Sequence, residues 1–184
     1  MCGVGEQQAT LFCRTLDPGN ISHLLLLGWA GGLIPDLAAG AVVCANKSVR
    51  TGKPGLTAIP FTINGLRIGA ILTSPQALLT LAEKQAAQSC GAIAVEMEAY
   101  PFAEWAYTHG IPFTHGRVIL DTMSESLPDM GQALDAYGRL RFSPFLAQLV
   151  KHPALIPEIW HLFQRTRSLN TILEQLALDL VRLI

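Results

Sequence analysis

Apolar and polar positions along the chain follow two rhythms. Short continuous apolar runs bounded by turn residues predict strands at Leu24–Leu27, Ala41–Val49, Leu66–Leu72, Ala92–Val95 and Pro112–Leu120. Between them the spacing of apolar positions predicts helices over 6–16, 75–89 and 97–109, the first ended by the Asp17-Pro18-Gly19-Asn20 breaker. Gly28-Trp29-Ala30-Gly31-Gly32 reads as a tight loop closing the first strand, and 50–65, rich in Gly, Pro and Thr, as a loop or short hairpin arm. After Asp121 the texture changes. Residues 123–138 are polar and loop-like, whereas 142–184 is helical throughout, with three apolar stripes: Phe142, Phe145, Leu146, Leu149 and Val150; then Leu155, Ile156, Ile159, Trp160 and Phe163; then Leu169, Ile172, Leu173, Leu176 and Leu180.

Strands alternating with helices imply an α/β architecture, a mixed sheet covered by helices, with an all-helical C-terminal extension. The expected organisation is a single domain over 1–184, with the sheet core in 1–138 and the extension in 139–184. A chain of 184 residues, 50% hydrophobic and 15% charged, can bury one sizeable core. The C-terminal stripes exceed what a small sheet needs as cover, so a homo-oligomer interface is expected, the alternative being a wall for an apolar substrate tail.

The net charge of -1 gives no footprint for nucleic acid, which requires clustered Lys and Arg. The four cysteines have neither C-x-x-C spacing nor paired His ligands, so no metal site is expected. Neither a transmembrane run nor a secretory leader can be read, and the expected location is the cytoplasm.

Candidate chemistry gathers at strand ends. Gly3-Val4-Gly5 falls short of a dinucleotide fingerprint, because Gln8 stands where a small residue is required and no strand precedes it. The Gly28–Gly32 stretch either admits a ligand to bare backbone amides or makes a sharp packing turn. Glu96 and Glu98 stand where a strand gives way to a helix, as ligand-binding carboxylates or as acids favoured by the helix dipole. Asp121, at the carboxyl end of another apolar run, is either a desolvated acid able to hold a proton near neutrality or a cap of the next turn. His115 lies six residues earlier, so even spacing puts it on the same strand face as Asp121.

Taken in order, Gly28-Trp29-Ala30-Gly31-Gly32-Leu33-Ile34-Pro35, Val95-Glu96-Met97-Glu98, and Gly110-Ile111-Pro112-Phe113 running to Arg117 and Asp121 resemble the motifs of the nucleoside phosphorylase/nucleosidase superfamily. This group holds the purine nucleoside phosphorylases and the methylthioadenosine/S-adenosylhomocysteine nucleosidases. The aromatic residue before Ala30, Thr80-Leu81-Ala82-Glu83-Lys84, and Leu127-Pro128 before a helical tail are most similar to its hopanoid-associated branch. The resemblance implies the three-layer phosphorylase/hydrolase-like fold and cleavage of the N-glycosidic bond of a purine nucleoside or adenosine derivative, with no cofactor, phosphate being a co-substrate in the phosphorylase alternative. It implies Asp121 as the catalytic acid at the purine ring. Glu98 would hold the ribose hydroxyls with Met97 beneath the sugar and Glu96 nearby, and Trp29, Ala30, Gly31 and Gly32 would line the sugar and the nucleophile.

There are departures. Leu120 replaces a small residue before the acid, no aromatic residue follows Leu72 to stack on adenine, and the glycine stretch lacks the Arg of many phosphorylases. The family's first strands, with the nucleosidases' water-activating Glu, precede the point matched by Gly3-Val4-Gly5. The expectation is therefore an N-terminally truncated form with feeble activity and an uncovered sheet edge or cleft, the alternative being a non-catalytic relative that binds a nucleoside or a partner.

Overall fold

A computed structural model describes residues 5–61, 65–128, 151–153 and 155–181. The first C-terminal stripe, the 129–138 stretch and Gly3-Val4 lie outside the described residues. The elements in chain order are α1 (Glu6–Cys13), β1 (Leu24–Gly32), β2 (Val42–Val49), β3 (Leu56–Thr57), β4 (Arg67–Thr73), α2 (Leu81–Gln88), β5 (Ala94–Glu96), α3 (Ala99–His109), β6 (Phe113–Asp121) and α4 (Leu155–Val181).

The six strands form one mixed sheet in the order β3-β2-β4-β5-β1-β6, and β6 also pairs with β2. That pairing, Val42 to Val118 through Cys44 to Gly116, closes β2, β4, β5, β1 and β6 into a ring, with β3 added outside it as the short arm. β1 runs parallel to β6 from Leu24 opposite Phe113 to Gly31 opposite Asp121, with a register shift after Ala30. On its other side β1 meets β5 only at Gly31 and Gly32, opposite Val95 and Ala94. Among the described strands, none pairs with that side over residues 24–30.

Two sequence expectations need correction. Gly28–Gly32 is not a loop, because β1 stays extended to Gly32 and its glycines hold ladder positions. They are bare for reasons of space: a Cβ on Gly28 would lie 2.1 Å from the Arg117 guanidinium, and one on Gly31 would lie 3.2 Å from the Asp121 carboxylate. The helix expected over 75–89 begins only after Thr80. There the Thr80 hydroxyl accepts from the Glu83 N–H and the Glu83 carboxylate accepts from the Thr80 N–H, a capping box that fixes the start of α2.

Three apolar layers cover the ring. α1 and α3 pack on one face through Ala9, Cys13, Tyr100, Phe102, Ala103 and Ala106. Leu33, Leu72, Ala92 and Val95 form a smaller cluster beside α2. On the opposite face of β1 and β6, Leu25, Leu27, Trp29 and Val118 meet Leu169, Leu176 and Leu180 of α4. The third C-terminal stripe therefore caps the sheet, whereas Ile156, Trp160 and Phe163 of the second are at least half exposed.

This division sets an expectation for stability. Leu176→Ala removes a side chain buried in the α4 layer and should cost about 2–5 kcal/mol in urea unfolding. Trp160→Ala on the open side of the same helix should change stability by no more than about 0.5 kcal/mol. Equal effects would show that α4 does not dock by its third stripe.

Candidate functional site

The carboxyl ends of β1, β5 and β6 converge on a cleft of about 150 Å³ lined by Trp29, Ala30 and Gly31, by Val95–Glu98, by Leu120 and Asp121, and by Gln76–Leu78 and Leu127 from the connecting loops. The structure thus brings Trp29, Ala30, Gly31, Glu96, Met97, Glu98 and Asp121 to one cleft and leaves Gly32 and His115 outside its lining. Gly32 is buried, and a Cβ there would meet the Asp121 carbonyl at 3.4 Å and Leu37 at 3.6 Å.

The two glutamates of Val95-Glu96-Met97-Glu98 have different surroundings. Glu96 is 5% exposed and both its oxygens are engaged. Oε1 accepts from the Thr73 hydroxyl, and Oε2 accepts from the N–H groups of Glu98 (2.7 Å) and Ala99 (2.8 Å) and from Arg117 Nη2 (2.6 Å). Thr73 Oγ1 in turn accepts from the Tyr100 N–H, and Pro101 has no N–H to satisfy, so the exposed amides of the first turn of α3 are largely accounted for. Burial raises the proton affinity of Glu96, while Arg117 and the hydrogen bonds oppose it. Because both oxygens act as acceptors, Glu96 works as the anion that anchors α3 and has little capacity left for a ligand.

Glu98 is half-buried and more open. Its Oε1 accepts from the Gly5 N–H at 3.1 Å, and Arg117 Nη2 stands 3.8 Å from Oε2. It ends the strand-helix junction with one oxygen uncommitted to a close hydrogen bond. Met97 lies between the two glutamates, on the cleft wall.

Arg117 carries no role in the sequence-level reading beyond its motif position, yet it organises the site. Its side chain lies over bare Gly28, pairs with Glu96 and donates from Nε to His115 Nε2 at 2.7 Å. His115 does not share a strand face with Asp121, because β6 carries an extra residue at Leu120 where Ala30 pairs with Ile119 and Gly31 with Asp121, and it is fully buried outside the cleft. Burial first, and Arg117 second, hold its pKa well below the usual range. Since Nε2 accepts from Arg117, the neutral ring carries its proton on Nδ1, which faces the Ser48 hydroxyl at 3.5 Å. His115 thus supports Arg117 and does not face a ligand.

Asp121 is 3% exposed at the end of β6. Its Oδ2 accepts from the ammonium of Lys84, a fully buried residue of α2. Burial raises the Asp121 pKa, and Lys84 pulls against that rise. Nothing in the sequence pattern separates Lys84 from a surface lysine, because its partner lies 37 residues away. Trp29 Nε1, buried beside the cleft, has no hydrogen-bond partner among the described residues. Nor do the described residues hold a His/Cys/Asp/Glu cluster suited to a metal ion, or a helix long and apolar enough to cross a membrane.

No protein-family model matches the chain, and no curated protein does. Solved structures do. The chain is similar to the 5′-methylthioadenosine/S-adenosylhomocysteine nucleosidase of Helicobacter pylori, solved with a pyrrolidine-based inhibitor (20% identity, TM-score 0.59), and to that of S. pneumoniae with the transition-state inhibitor MT-ImmA (20%, 0.59). It is also similar to the futalosine hydrolase of Helicobacter pylori (20%, 0.59). Each alignment covers 67% of this chain and 66% of the other, so the chain spans just under two thirds of the length of the enzymes it matches. The chain shares the α/β fold of these nucleosidases, the fold that the ordered sequence motifs imply.

The assignment of Glu96 as an anchor is testable. Glu96→Gln removes the charge facing buried Arg117 and weakens the start of α3, so urea unfolding should show a loss of about 3–5 kcal/mol. Glu98→Gln should cost under about 1 kcal/mol, since its contact with Arg117 is long and half-buried. A stable Glu96→Gln protein would contradict the anchoring role.

Proposed function

We propose that the protein cleaves the N-glycosidic bond of a purine nucleoside, an adenosine derivative in particular. One observation carries the reading: a buried acid and an open carboxylate, Asp121 and Glu98, face one apolar-walled cleft on a fold whose solved examples include nucleosidases. Glycosidic cleavage needs a proton for the departing base and a hold on a sugar that gains oxocarbenium character. Asp121, with its proton affinity raised by burial, supplies the first at a purine ring nitrogen. Glu98 supplies the second by accepting hydrogen bonds from the ribose hydroxyls. Met97 gives the sugar an apolar floor, and bare Gly31 leaves room for the Asp121 carboxylate to lie against the strand at the cleft wall.

The cavity, about 150 Å³, is smaller than the roughly 300–1,000 Å³ of most ligand pockets, so part of the nucleoside would stand outside its wall. A 5′ group would therefore extend past Ala77, Leu78, Leu120 and Leu127, whose apolar character suits a hydrophobic substituent such as a hopanoid-linked one. Water or phosphate is the nucleophile.

Adenine release from adenosine, methylthioadenosine and S-adenosylhomocysteine, with and without phosphate, tests the proposal. Release abolished by Asp121→Asn is expected. Because Asp121 acts in its protonated form, kcat/KM should be full below its raised pKa and fall as pH rises through it. Adenosine binding measured by calorimetry should weaken by about 1.5–3 kcal/mol in Glu98→Gln. Nucleoside binding without release in either buffer would instead favour a non-catalytic binding protein, and no binding at all would reject both readings.

A further inference from the structure

Lys84, like Arg117 a buried cation among the described residues, takes no part in the reaction outlined above. It is fully buried on α2, and lysine is seldom buried unless paired. All three ammonium protons have acceptors: Asp121 Oδ2, the Thr122 carbonyl (2.7 Å) and the Glu125 carbonyl (2.6 Å). A nitrogen that donates three hydrogen bonds is the charged ammonium, with no lone pair for a fourth role. Oδ2 of Asp121 is thus committed as an acceptor, and a proton on this carboxyl belongs on Oδ1.

We propose that Lys84 is a positioning residue for the acid: its ammonium sets the proton affinity of Asp121 and leaves Oδ1 as the oxygen that carries the proton to the departing base. This rests on the reading of Asp121 as that acid. α2 is suited to hold such a group rigidly, because the Thr80–Glu83 capping box fixes the turn from which Lys84 projects. The other charges around Asp121 are tied elsewhere. Glu125, after β6, is held by Arg165 of α4 at 2.8 and 3.0 Å, and by the Thr122 N–H at 2.8 Å. Across the cleft Glu96 is paired with Arg117, which also faces Glu98. Lys84 alone among them makes an ion pair with Asp121 among the described residues. Without it, burial would act on Asp121 with only the more distant Arg165 in opposition.

The test separates this role from simple bracing of the 122–125 turn. Carbon NMR of the Asp121 carboxyl, assigned by its loss in Asp121→Asn, gives a titration midpoint that needs no substrate. Lys84→Met should raise that midpoint by about 1–3 pH units, the effect of removing an opposite charge in contact, and Lys84→Arg should leave it within about half a unit of the parent. The high-pH fall in kcat/KM for adenine release should move upward with it. An unchanged midpoint in Lys84→Met, or a moved midpoint with an unmoved activity profile, would overturn the proposal. Should Lys84→Met not fold, the nitrogen signal of the Lys84 ammonium in the unmodified protein decides. It should shift at the Asp121 midpoint and stay constant over that range in Asp121→Asn; constancy in the unmodified protein would overturn the role. A parent that releases no adenine refutes the glycosidic reading, while the two titrations still judge Lys84.

Discussion

The buried pair between Arg117 and Glu96 is the contact on which the rest of the site depends. A guanidinium and a carboxylate taken from water are costly unless each remaining donor and acceptor finds a partner. Here they largely do: Glu96 also receives the first amides of α3 and the Thr73 hydroxyl, and Arg117 also reaches His115. The network joins β4, β5, β6 and the start of α3, and it forces Gly28 on β1 to be bare. Side chains from most strands of the ring are therefore satisfied by one another, and the end of β5 where Glu98 sits is held by bonds that leave Glu98 itself open.

Three carboxylates at the cleft have three environments, and these separate their work. Glu96 is saturated and structural. Glu98 keeps partial contact with solvent and a distant cation. Asp121 is desolvated but paired with Lys84, so burial raises its proton affinity while the ammonium opposes the rise. A neutral His115 behind Arg117 completes the arrangement by accepting a hydrogen bond without adding charge.

Much of this was legible in the sequence where the chemistry is local. Apolar runs ending in Glu96 and Asp121 marked the strand ends that meet at the cleft, and the ordered motifs marked the fold. What could not be read depends on partners distant along the chain. Glu96 and Glu98 look equivalent in Val95-Glu96-Met97-Glu98; Thr73, 23 residues away, and Arg117, 21 residues away, assign one to structure. Lys84 looks like a surface lysine of an amphipathic helix until Asp121 closes on it. The glycines of β1 suggested a loop because their cause, a guanidinium and a carboxylate lying against the strand, comes from β6. Likewise the third apolar stripe of the C-terminal region covers β1 and β6, whereas the second remains open on α4, a distinction periodicity alone does not make.

A crystal structure of the protein with a bound adenosine analogue that resists cleavage tests the central claim most directly. The account places the ribose hydroxyls about 2.6–3.2 Å from the Glu98 carboxylate and a purine ring nitrogen within the same reach of Asp121 Oδ1, with Lys84 still on Oδ2. An analogue seated elsewhere, such as the groove between α4 and Gly40–Val42, or one in the cleft with its base turned away from Asp121, would contradict it.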